Sequence, residues 1–233
     1  MPSMKTDAVH ALEISVGSDR QVSGLALTPA QARACFVFAH GAGAGMTHPF
    51  MEAMAKGLDE RGIATLRYQF PYMQNRSRRP DPPELCHATV RAAVNAAARL
   101  VPGLPLIAGG RSFGGRMSSQ AQAKSPLPGV QGLAFLGFPL HPAKQPSDQR
   151  AGHLLEVRVP LLFMQGTRDE LAELDLLRTV VARLGERATL RLTEGADHSF
   201  KVPARSGRTQ AQLISELTGT LSDWTDSLLP GKA

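Results

Sequence analysis

Three residues of the types that perform nucleophilic acyl chemistry are spread along this chain: Ser112, Asp169 and His198. Covalent cleavage of an ester or amide needs a nucleophile, a base whose pKa lies near neutrality, and an acidic group that holds the base in one tautomer. Serine, histidine and aspartate supply these three functions. We therefore predict a catalytic triad in which His198 accepts the proton of Ser112 and Asp169 orients His198.

Two other acidic residues compete with Asp169 for the orienting role. Asp197 directly precedes His198, so its carboxylate would reach the imidazole Nδ1 only with backbone strain, and Glu170 is expected to point into the helix that follows it. Each triad member also has an ordinary structural explanation: a tight turn at Ser112, a helix cap at Asp169 and a surface loop at His198. The prediction depends on the three occurring together.

The residues around Ser112 predict a sharp turn between a strand and a helix. The apolar run Leu104–Ala108 before the turn indicates a buried strand, and Met117–Lys124 after it indicates a helix that packs through small residues. Glycines two residues before and after Ser112 let neighbouring elements approach a strained nucleophile. In this geometry the Phe113 N–H points from a helix N-terminus toward a developing oxyanion.

A glycine-dense segment, His40–Gly45, follows another predicted strand and is expected to supply the second oxyanion donor. Its glycines allow a backbone amide to come close to the site, and Ala42 is the favoured donor. A glycine-rich loop also raises the alternative of phosphate binding. The spacing matches neither the Walker pattern nor the dinucleotide pattern, so nucleotide binding is disfavoured.

Strands alternate with helices along most of the chain, after an N-terminal hairpin. This order predicts parallel pairing, right-handed crossovers and helices on both faces of the sheet. We predict one α/β domain over residues 1–233, with a mostly parallel sheet and an antiparallel N-terminal edge. The predicted strands are Val9–Val16, Val22–Thr28, Cys35–Ala39, Ile63–Phe70, Leu104–Ala108, Gly132–Phe138, Pro160–Gln165 and Ala188–Leu192. The predicted helices are His48–Arg61, Glu84–Leu100, Met117–Lys124, Leu171–Leu184 and Thr209–Leu229. Since ligands bind beyond the carboxyl ends of such strands, residues that follow each strand form the candidate site.

Composition disfavours several other classes of protein. The formal net charge of +6 permits an anionic substrate, but only 5% of residues are aromatic, so no stacking platform for nucleic acid is expected. Cys35 and Cys86 match no metal or redox spacing and are expected to be small core residues. No apolar run is long enough to span a bilayer, and Met1–His10 does not match a secretory signal. We predict a cytoplasmic protein without metal, cofactor, membrane or nucleic-acid partner.

Several motifs together resemble one family. They are His40-Gly41-Ala42-Gly43-Ala44-Gly45-Met46, His48-Pro49-Phe50-Met51, Arg67-Tyr68-Gln69-Phe70-Pro71-Tyr72, Gly109 to Arg116, Phe138-Pro139-Leu140-His141-Pro142, Gly166-Thr167-Arg168-Asp169 and Ala196-Asp197-His198-Ser199-Phe200. Across residues 35–202 the chain resembles the small α/β-hydrolases related to dienelactone hydrolase, and more closely their branch shared with the testis-expressed and NSL-complex regulatory proteins. The chain order Ser, Asp, His is the one used by α/β-hydrolases.

The resemblance implies a cofactor-free α/β-hydrolase fold with Ser112, Asp169 and His198 as the triad. Dienelactone hydrolases proper carry a cysteine nucleophile where this chain has Ser112. The resemblance therefore does not supply a substrate.

Four residues are candidates for substrate binding: His48, Tyr72, Arg111 and His141. The two histidines could contact a substrate carboxylate or be satisfied structural histidines. Arg111 could bind an anionic acyl group, although an ion pair beneath the turn is the favoured explanation. The segment 139–159 is too short for a large helical lid, so the site is expected to be open and shallow.

We therefore predict a serine hydrolase that cleaves a small carboxylic ester or thioester through an acyl-enzyme on Ser112. Two alternatives stay open at this point. One is an interaction or scaffold domain that retains the hydrolase residues without using them, and the other is an acyltransferase that uses the same triad. The sequence determines neither the acyl chain length nor the oligomeric state.

Overall fold

An open eight-stranded sheet forms the centre of the computed structural model, which describes residues 9–229. The strands are β1 His10–Val16, β2 Arg20–Leu27, β3 Ala34–Ala39, β4 Ile63–Tyr68, β5 Leu106–Arg111, β6 Val130–Leu136, β7 Leu161–Gly166 and β8 Ala188–Thr193. The α-helices are α1 Pro49–Asp59, α2 Pro71–Gln74, α3 Pro83–Leu100, α4 Phe113–Lys124, α5 Leu174–Leu184 and α6 Gln210–Leu228. Three short 3₁₀ helices cover Gln149–Glu156, Gly185–Arg187 and Ala204–Ser206.

The sheet order is β1-β2-β4-β3-β5-β6-β7-β8. β1 pairs antiparallel with β2 and β2 antiparallel with β4, whereas every other neighbouring pair is parallel. Every residue of β3 and β4 is buried, as expected for strands covered on both faces, while exposed and buried residues mix along β1. The predicted parallel sheet with an antiparallel N-terminal edge is confirmed.

Helices cover both faces of the sheet. α1 and α6 pack on one face through an apolar cluster that includes Met54, Leu58, Leu217 and Trp224, with Phe36 and Phe38 of β3 beneath them. α3, α4 and α5 pack on the other face, where Val37 of β3 meets a second cluster. Because successive strand residues point to opposite faces, the apolar run of β3 contributes to both clusters.

Two helices begin more than one residue away from their predicted starts. α4 begins at Phe113 rather than Met117, because Gly114 and Gly115 are helical although glycine disfavours helix. A Cβ atom on Gly114 would lie 2.5 Å from the His40 carbonyl oxygen, so only glycine allows this helix to approach β3 so closely. α5 begins at Leu174 rather than Leu171, since the Leu171 N–H donates to the Asp169 carboxylate in a preceding turn.

Other parts of the chain also differ from the sequence prediction. α2 occupies a stretch for which no element was predicted, and residues Gln149–Glu156 form a 3₁₀ helix where an irregular segment was expected. No α-helix lies between β6 and β7, all of which the structure describes, so no large lid is built there. The prediction that Met1–His10 is not a secretory signal concerns mainly residues 1–8, which lie outside the described residues.

Three sequence expectations concern residue composition rather than fold. Cys35 and Cys86 are buried free thiols, and burial raises the pKa of each to about 12. Within residues 9–229 there is no helix of the length and apolar character required to cross a membrane. Over the same residues no three His, Cys, Asp or Glu side chains are grouped to hold a metal ion.

Candidate active site

Ser112 lies on a strained turn between β5 and α4. Its backbone has φ 50° and ψ −116°, a region that costs a non-glycine residue about 1–3 kcal/mol. The Ser112 N–H donates to the Leu136 carbonyl at 3.0 Å, and its own carbonyl accepts from Arg116 N–H at 3.1 Å. A Cβ atom on Gly110 would lie 2.3 Å from the Ala39 carbonyl oxygen, so the adjoining strand leaves room only for glycine. Packing of β5 between β3 and β6 therefore holds the strained turn in place.

A continuous chain of hydrogen bonds joins the three predicted catalytic residues. Ser112 Oγ and His198 Nε2 are 2.8 Å apart, and His198 Nδ1 and Asp169 Oδ2 are 2.7 Å apart. A carboxylate only accepts, so the Nδ1 proton points to Asp169 and Nε2 is the acceptor for the Ser112 hydroxyl. The side chain of Asp169 is fully buried, whereas that of His198 is 22% exposed. This arrangement is suited to removing the hydroxyl proton from Ser112.

Asp169 is held by two further donors that sequence reasoning missed. Gln165 Nε2 donates to the same oxygen as His198, and the Leu171 N–H donates to Oδ1 at 2.8 Å. Gln165 is itself fixed, since its amide oxygen accepts from the Phe138 N–H at 2.9 Å. The carboxylate therefore has one orientation, directed at His198. The signal in the sequence was a polar residue inside the apolar strand β7.

The two competing acids have other positions. Asp197 Oδ1 accepts from the backbone N–H groups of Ser199 and Lys201, at 2.8 and 2.9 Å, and so shapes the turn that carries His198. Glu170 is exposed to solvent. Asp169 is thus the carboxylate that the structure places against the imidazole.

The glycine-dense loop after β3 lies directly opposite Ser112. A Cβ atom on Gly41 would be 3.9 Å from the Ser112 Cβ, and residues 41–44 line a cavity of about 300 Å³ together with Arg111, Ser112 and His198. Phe113 is the first residue of α4, where a helix N–H has no partner within the helix and the helix dipole is positive. The backbone groups predicted as oxyanion donors, Ala42 and Phe113, therefore both lie beside the nucleophile.

His40 fixes the orientation of the Gly41–Ala42 peptide. Its Nε2 accepts from the Phe70 N–H at 3.0 Å, so the proton is on Nδ1, which donates to the Gly41 carbonyl at 2.8 Å. The ring is fully buried, and burial lowers the pKa of His40 to about 4, which keeps it neutral. Because a peptide is planar and trans, a carbonyl held toward His40 directs the Ala42 N–H to the opposite side. The sequence prediction assigned no role to this residue.

Tyr72 lies behind the same loop rather than in the cavity. Its side chain is buried, and its hydroxyl donates to the Ala42 carbonyl at 3.0 Å. The Tyr72 N–H donates to Asp81 Oδ2 at 2.7 Å, which anchors α2. Burial raises the pKa of the Tyr72 phenol, so the hydroxyl stays protonated as a donor. Tyr72, predicted as a substrate-binding candidate, thus contacts the glycine-dense loop after β3.

The two candidate histidines differ in position. His141 is buried; its Nδ1 donates to the Pro142 carbonyl at 2.8 Å and its Nε2 accepts from the Glu173 N–H at 3.3 Å. Both of its ring nitrogens are thus bound to backbone. His48 caps α1, where Nδ1 accepts from the Phe50 N–H at 3.2 Å, and its ring lines a second cavity.

Arg111 is half-buried between the two cavities, without the ion pair that was expected. Its Nη2 donates to Ser199 Oγ at 3.1 Å, and its guanidinium carbon lies 5.1 Å from the centre of the Phe50 ring. No carboxylate of residues 9–229 lies within 4.0 Å of it. The turn bearing Ser112 is instead stabilised by strand packing, so Arg111 remains a charged group on the cavity wall.

Comparison with known proteins agrees with this architecture. Residues 32–226 match the model of the alpha/beta hydrolase domain family. The chain is similar to dienelactone hydrolase from Anabaena variabilis, with a TM-score of 0.78, 22% identity and coverage of 96% of this chain and 99% of that one. It is also similar to a serine hydrolase without a lid from Xanthomonas campestris, with a TM-score of 0.72, 21% identity and full coverage of both chains. A serine hydrolase homologue from Coxiella burnetii has a TM-score of 0.69 and 20% identity, over 94% of this chain and 97% of that one.

Proposed function

Because the chain belongs to the alpha/beta hydrolase domain family, we propose that it is a serine hydrolase that cleaves a small carboxylic ester or thioester through an acyl-enzyme on Ser112. The observation that carries this proposal is the hydrogen-bond chain from Ser112 Oγ through His198 to the buried carboxylate of Asp169. Placement in the branch shared with the testis-expressed and NSL-complex regulatory proteins stays a prediction, as does a cytoplasmic location.

Acylation begins when Ser112 Oγ attacks the carbonyl carbon of the substrate. The Ser112 proton passes to His198 Nε2, and the resulting imidazolium is stabilised by Asp169 through Nδ1. The negative charge on the carbonyl oxygen is bound by the N–H groups of Ala42 and Phe113. When the tetrahedral intermediate collapses, the imidazolium gives its proton to the departing alcohol or thiol, and the acyl group stays on Ser112.

Deacylation repeats these steps with water as the nucleophile. His198 takes a proton from the water, the hydroxide attacks the acyl carbon, and the same two N–H groups bind the second oxyanion. Collapse of this intermediate releases the carboxylic acid and returns the proton to Ser112 Oγ. An open cavity beside Ser112, with no α-helical lid between β6 and β7, gives water access to the acyl-enzyme.

A fluorophosphonate probe tests the proposal, since it labels only activated serines. We expect the wild-type protein to gain one label by intact mass and the Ser112→Ala variant to gain none. Ser125→Ala removes an exposed serine at the end of α4 and serves as the matched control that keeps its label. Hydrolysis of p-nitrophenyl acetate and butyrate, measured in parallel, should follow the labelling.

Three results would count against the proposal. Activity retained by a folded Ser112→Ala variant would remove Ser112 as the nucleophile. A folded wild-type protein that neither reacts with the probe nor cleaves either ester would favour a scaffold role instead. Labelling together with acyl transfer to an added alcohol, in place of hydrolysis, would indicate an acyltransferase.

A further inference from the structure

A second cavity, of about 390 Å³, adjoins the one in front of Ser112, and Arg111 lines both. We call it the Arg111 cavity. Its apolar part is formed by the start of α1 and by α6, and its charged and polar part by side chains near His198. Its lining includes Arg111, His48, Phe50, Ser199, Lys201 and Ile214.

The guanidinium of Arg111 is half-buried and forms no ion pair with any carboxylate of residues 9–229. Its Nε is buried and has no hydrogen-bond partner among the described residues. Burial lowers the pKa of Arg111, and Asp197 acts in the opposite direction from beyond 4.0 Å. An arginine remains protonated even when its pKa is lowered. A buried charge without a partner is unfavourable, so an anion placed here would be stabilised.

Asp197 is not free to become that partner. Its Oδ1 accepts from the backbone N–H groups of Ser199 and Lys201, and these bonds hold the turn that follows His198. Two backbone donors thus already engage this carboxylate, and it lies beyond 4.0 Å from Arg111. The missing negative charge is therefore expected from a ligand.

Two other donors face the same cavity. Lys201 is exposed and forms no ion pair with any carboxylate of residues 9–229. His48 accepts a hydrogen bond at Nδ1, so its neutral form carries the proton on Nε2. Burial, with additional contributions from Arg111 and Lys201, lowers the pKa of His48 and favours this neutral donor form. The cavity thus combines two cations and one neutral N–H donor.

The remaining wall is apolar and suits a short hydrocarbon arm. Phe50 is buried beneath the guanidinium and stacks on the ring of Phe200, and Ile214 of α6 completes this wall. An aliphatic chain can pack on these side chains while its polar end reaches Arg111. Such a division between an apolar wall and a few placed polar groups is typical of small-molecule sites.

We propose that the Arg111 cavity binds a carboxylate carried on a short apolar arm of the ester or thioester that Ser112 cleaves. This inference rests on the proposed function, because it assigns selectivity to the same site. Arg111 holds the carboxylate through charge-assisted hydrogen bonds, Lys201 adds a second positive charge, and the arm packs on Phe50 and Ile214. The arm belongs either to the acyl group or to the alcohol, and both place the same chemistry in the cavity.

Paired substrates that differ only in charge test the proposal. For the acyl side, mono(4-nitrophenyl) adipate is compared with the 4-nitrophenyl ester of adipamic acid, in which a neutral amide replaces the carboxylate. For the alcohol side, the acetate esters of 5-hydroxypentanoate and of its amide are compared by pH-stat. We expect kcat/KM of the wild-type protein to favour the carboxylate of one pair by about tenfold or more.

Variants then locate the selectivity. Arg111→Gln should bring the ratio of kcat/KM between carboxylate and amide to about one, and Lys201→Gln should reduce it at least about twofold. Arg178→Gln removes the same charge from the exposed surface of α5 and should leave the ratio unchanged. Lys201 is exposed, so its variant is decisive even if Arg111→Gln does not fold.

Three outcomes overturn the proposal. One is a wild-type ratio near one for both pairs. Another is a ratio that is unchanged in both Lys201→Gln and Arg111→Gln. The third is an equal loss of activity on both members of a pair in Arg111→Gln, because such a loss would indicate a structural role for Arg111.

Calorimetry with the Ser112→Ala variant separates this inference from the proposed function. Saturable binding of monomethyl adipate or of the acetate ester of 5-hydroxypentanoate that is lost when Arg111→Gln is added supports the cavity even if the wild-type protein cleaves nothing. Turnover of neutral esters without binding of either compound would overturn the cavity alone.

Discussion

Replacement of His40 by asparagine or by glutamine separates the two hydrogen bonds of its buried ring. Asparagine can place an amide N–H where His40 Nδ1 donates to the Gly41 carbonyl, but it does not reach the Phe70 N–H. Glutamine can place its amide oxygen where Nε2 accepts from Phe70, but it loses the bond to Gly41. The first variant thus keeps the restraint on the Gly41–Ala42 peptide, and the second removes it.

The two variants should lose similar stability and different amounts of activity. Each leaves one buried backbone group without its partner, which costs about 1–3 kcal/mol of unfolding free energy. Complete loss of one oxyanion donor lowers kcat by about 10²–10³. In His40→Gln the Gly41–Ala42 peptide is no longer held but still samples the right orientation, so it retains part of the transition-state stabilisation. We therefore expect His40→Gln to lower kcat about 10- to 100-fold. We expect His40→Asn to stay within about threefold of the wild type.

The assay is hydrolysis of p-nitrophenyl butyrate, with kcat and KM measured separately, together with urea unfolding of each variant. An effect on the transition state lowers kcat and leaves KM nearly unchanged. The second-order rate constant of fluorophosphonate labelling should fall in the same order, because that reaction also develops charge on an oxygen. Equal loss of kcat in the two variants, or a loss of kcat that simply follows their stability, would refute the role assigned to His40.

Three further predictions follow from the geometry. Asp169→Asn should keep the fold but lower kcat about 10³- to 10⁴-fold, because the amide favours the wrong imidazole tautomer; thermal unfolding and steady-state kinetics together check this. A Cβ on Gly109 would lie 1.9 Å from a β6 carbonyl oxygen, so Gly109→Ala should lower the free energy of unfolding in urea by about 4 kcal/mol or more. A Cβ on Gly152 would have no atom within 4 Å, so Gly152→Ala should change that free energy by less than about 0.5 kcal/mol. The pKa of His40 and that of His153 are lowered from 6.5 to about 4, so the folded state disfavours their protonation, and stability present above pH 6.5 should be lost as pH falls toward 4. For His40 the loss between pH 6.5 and 5 is about 1–2 kcal/mol, and urea unfolding of His40→Asn should show a correspondingly smaller dependence on pH.

The order and type of the main elements followed from local patterns. Apolar runs such as Cys35–Ala39 predicted buried parallel strands, and the hairpin predicted at the N-terminus indicated the antiparallel edge. The starts of helices were less predictable. At α4, Gly114 and Gly115 disfavour a helix by local propensity, but they are needed because the helix lies close to the sheet. Local propensity does not contain the distance between a helix and a strand, so it misplaced that boundary.

The roles of Ser112, Asp169 and His198 stay predictions, and the spacing of residues after strands was sufficient to name them. The residues that hold the site in position through hydrogen bonds, His40 and Gln165, could not be identified from this spacing. His40 accepts a hydrogen bond from Phe70, which lies thirty positions further along the chain. Gln165 lies in β7 but accepts a hydrogen bond from Phe138, which follows β6.

The sequence by itself therefore determined the fold class and the residue types at the ends of the strands, because hydrophobic periodicity and turn chemistry are local. Tertiary structure alone decided that His141 is bound to backbone on both nitrogens, that Tyr72 donates to the glycine-dense loop after β3, and that Arg111 has no acidic partner within 4.0 Å among the described residues. Hydrogen-bond satisfaction and charge compensation depend on which distant groups come within about 3–4 Å, and only the packed sheet and helices set those distances.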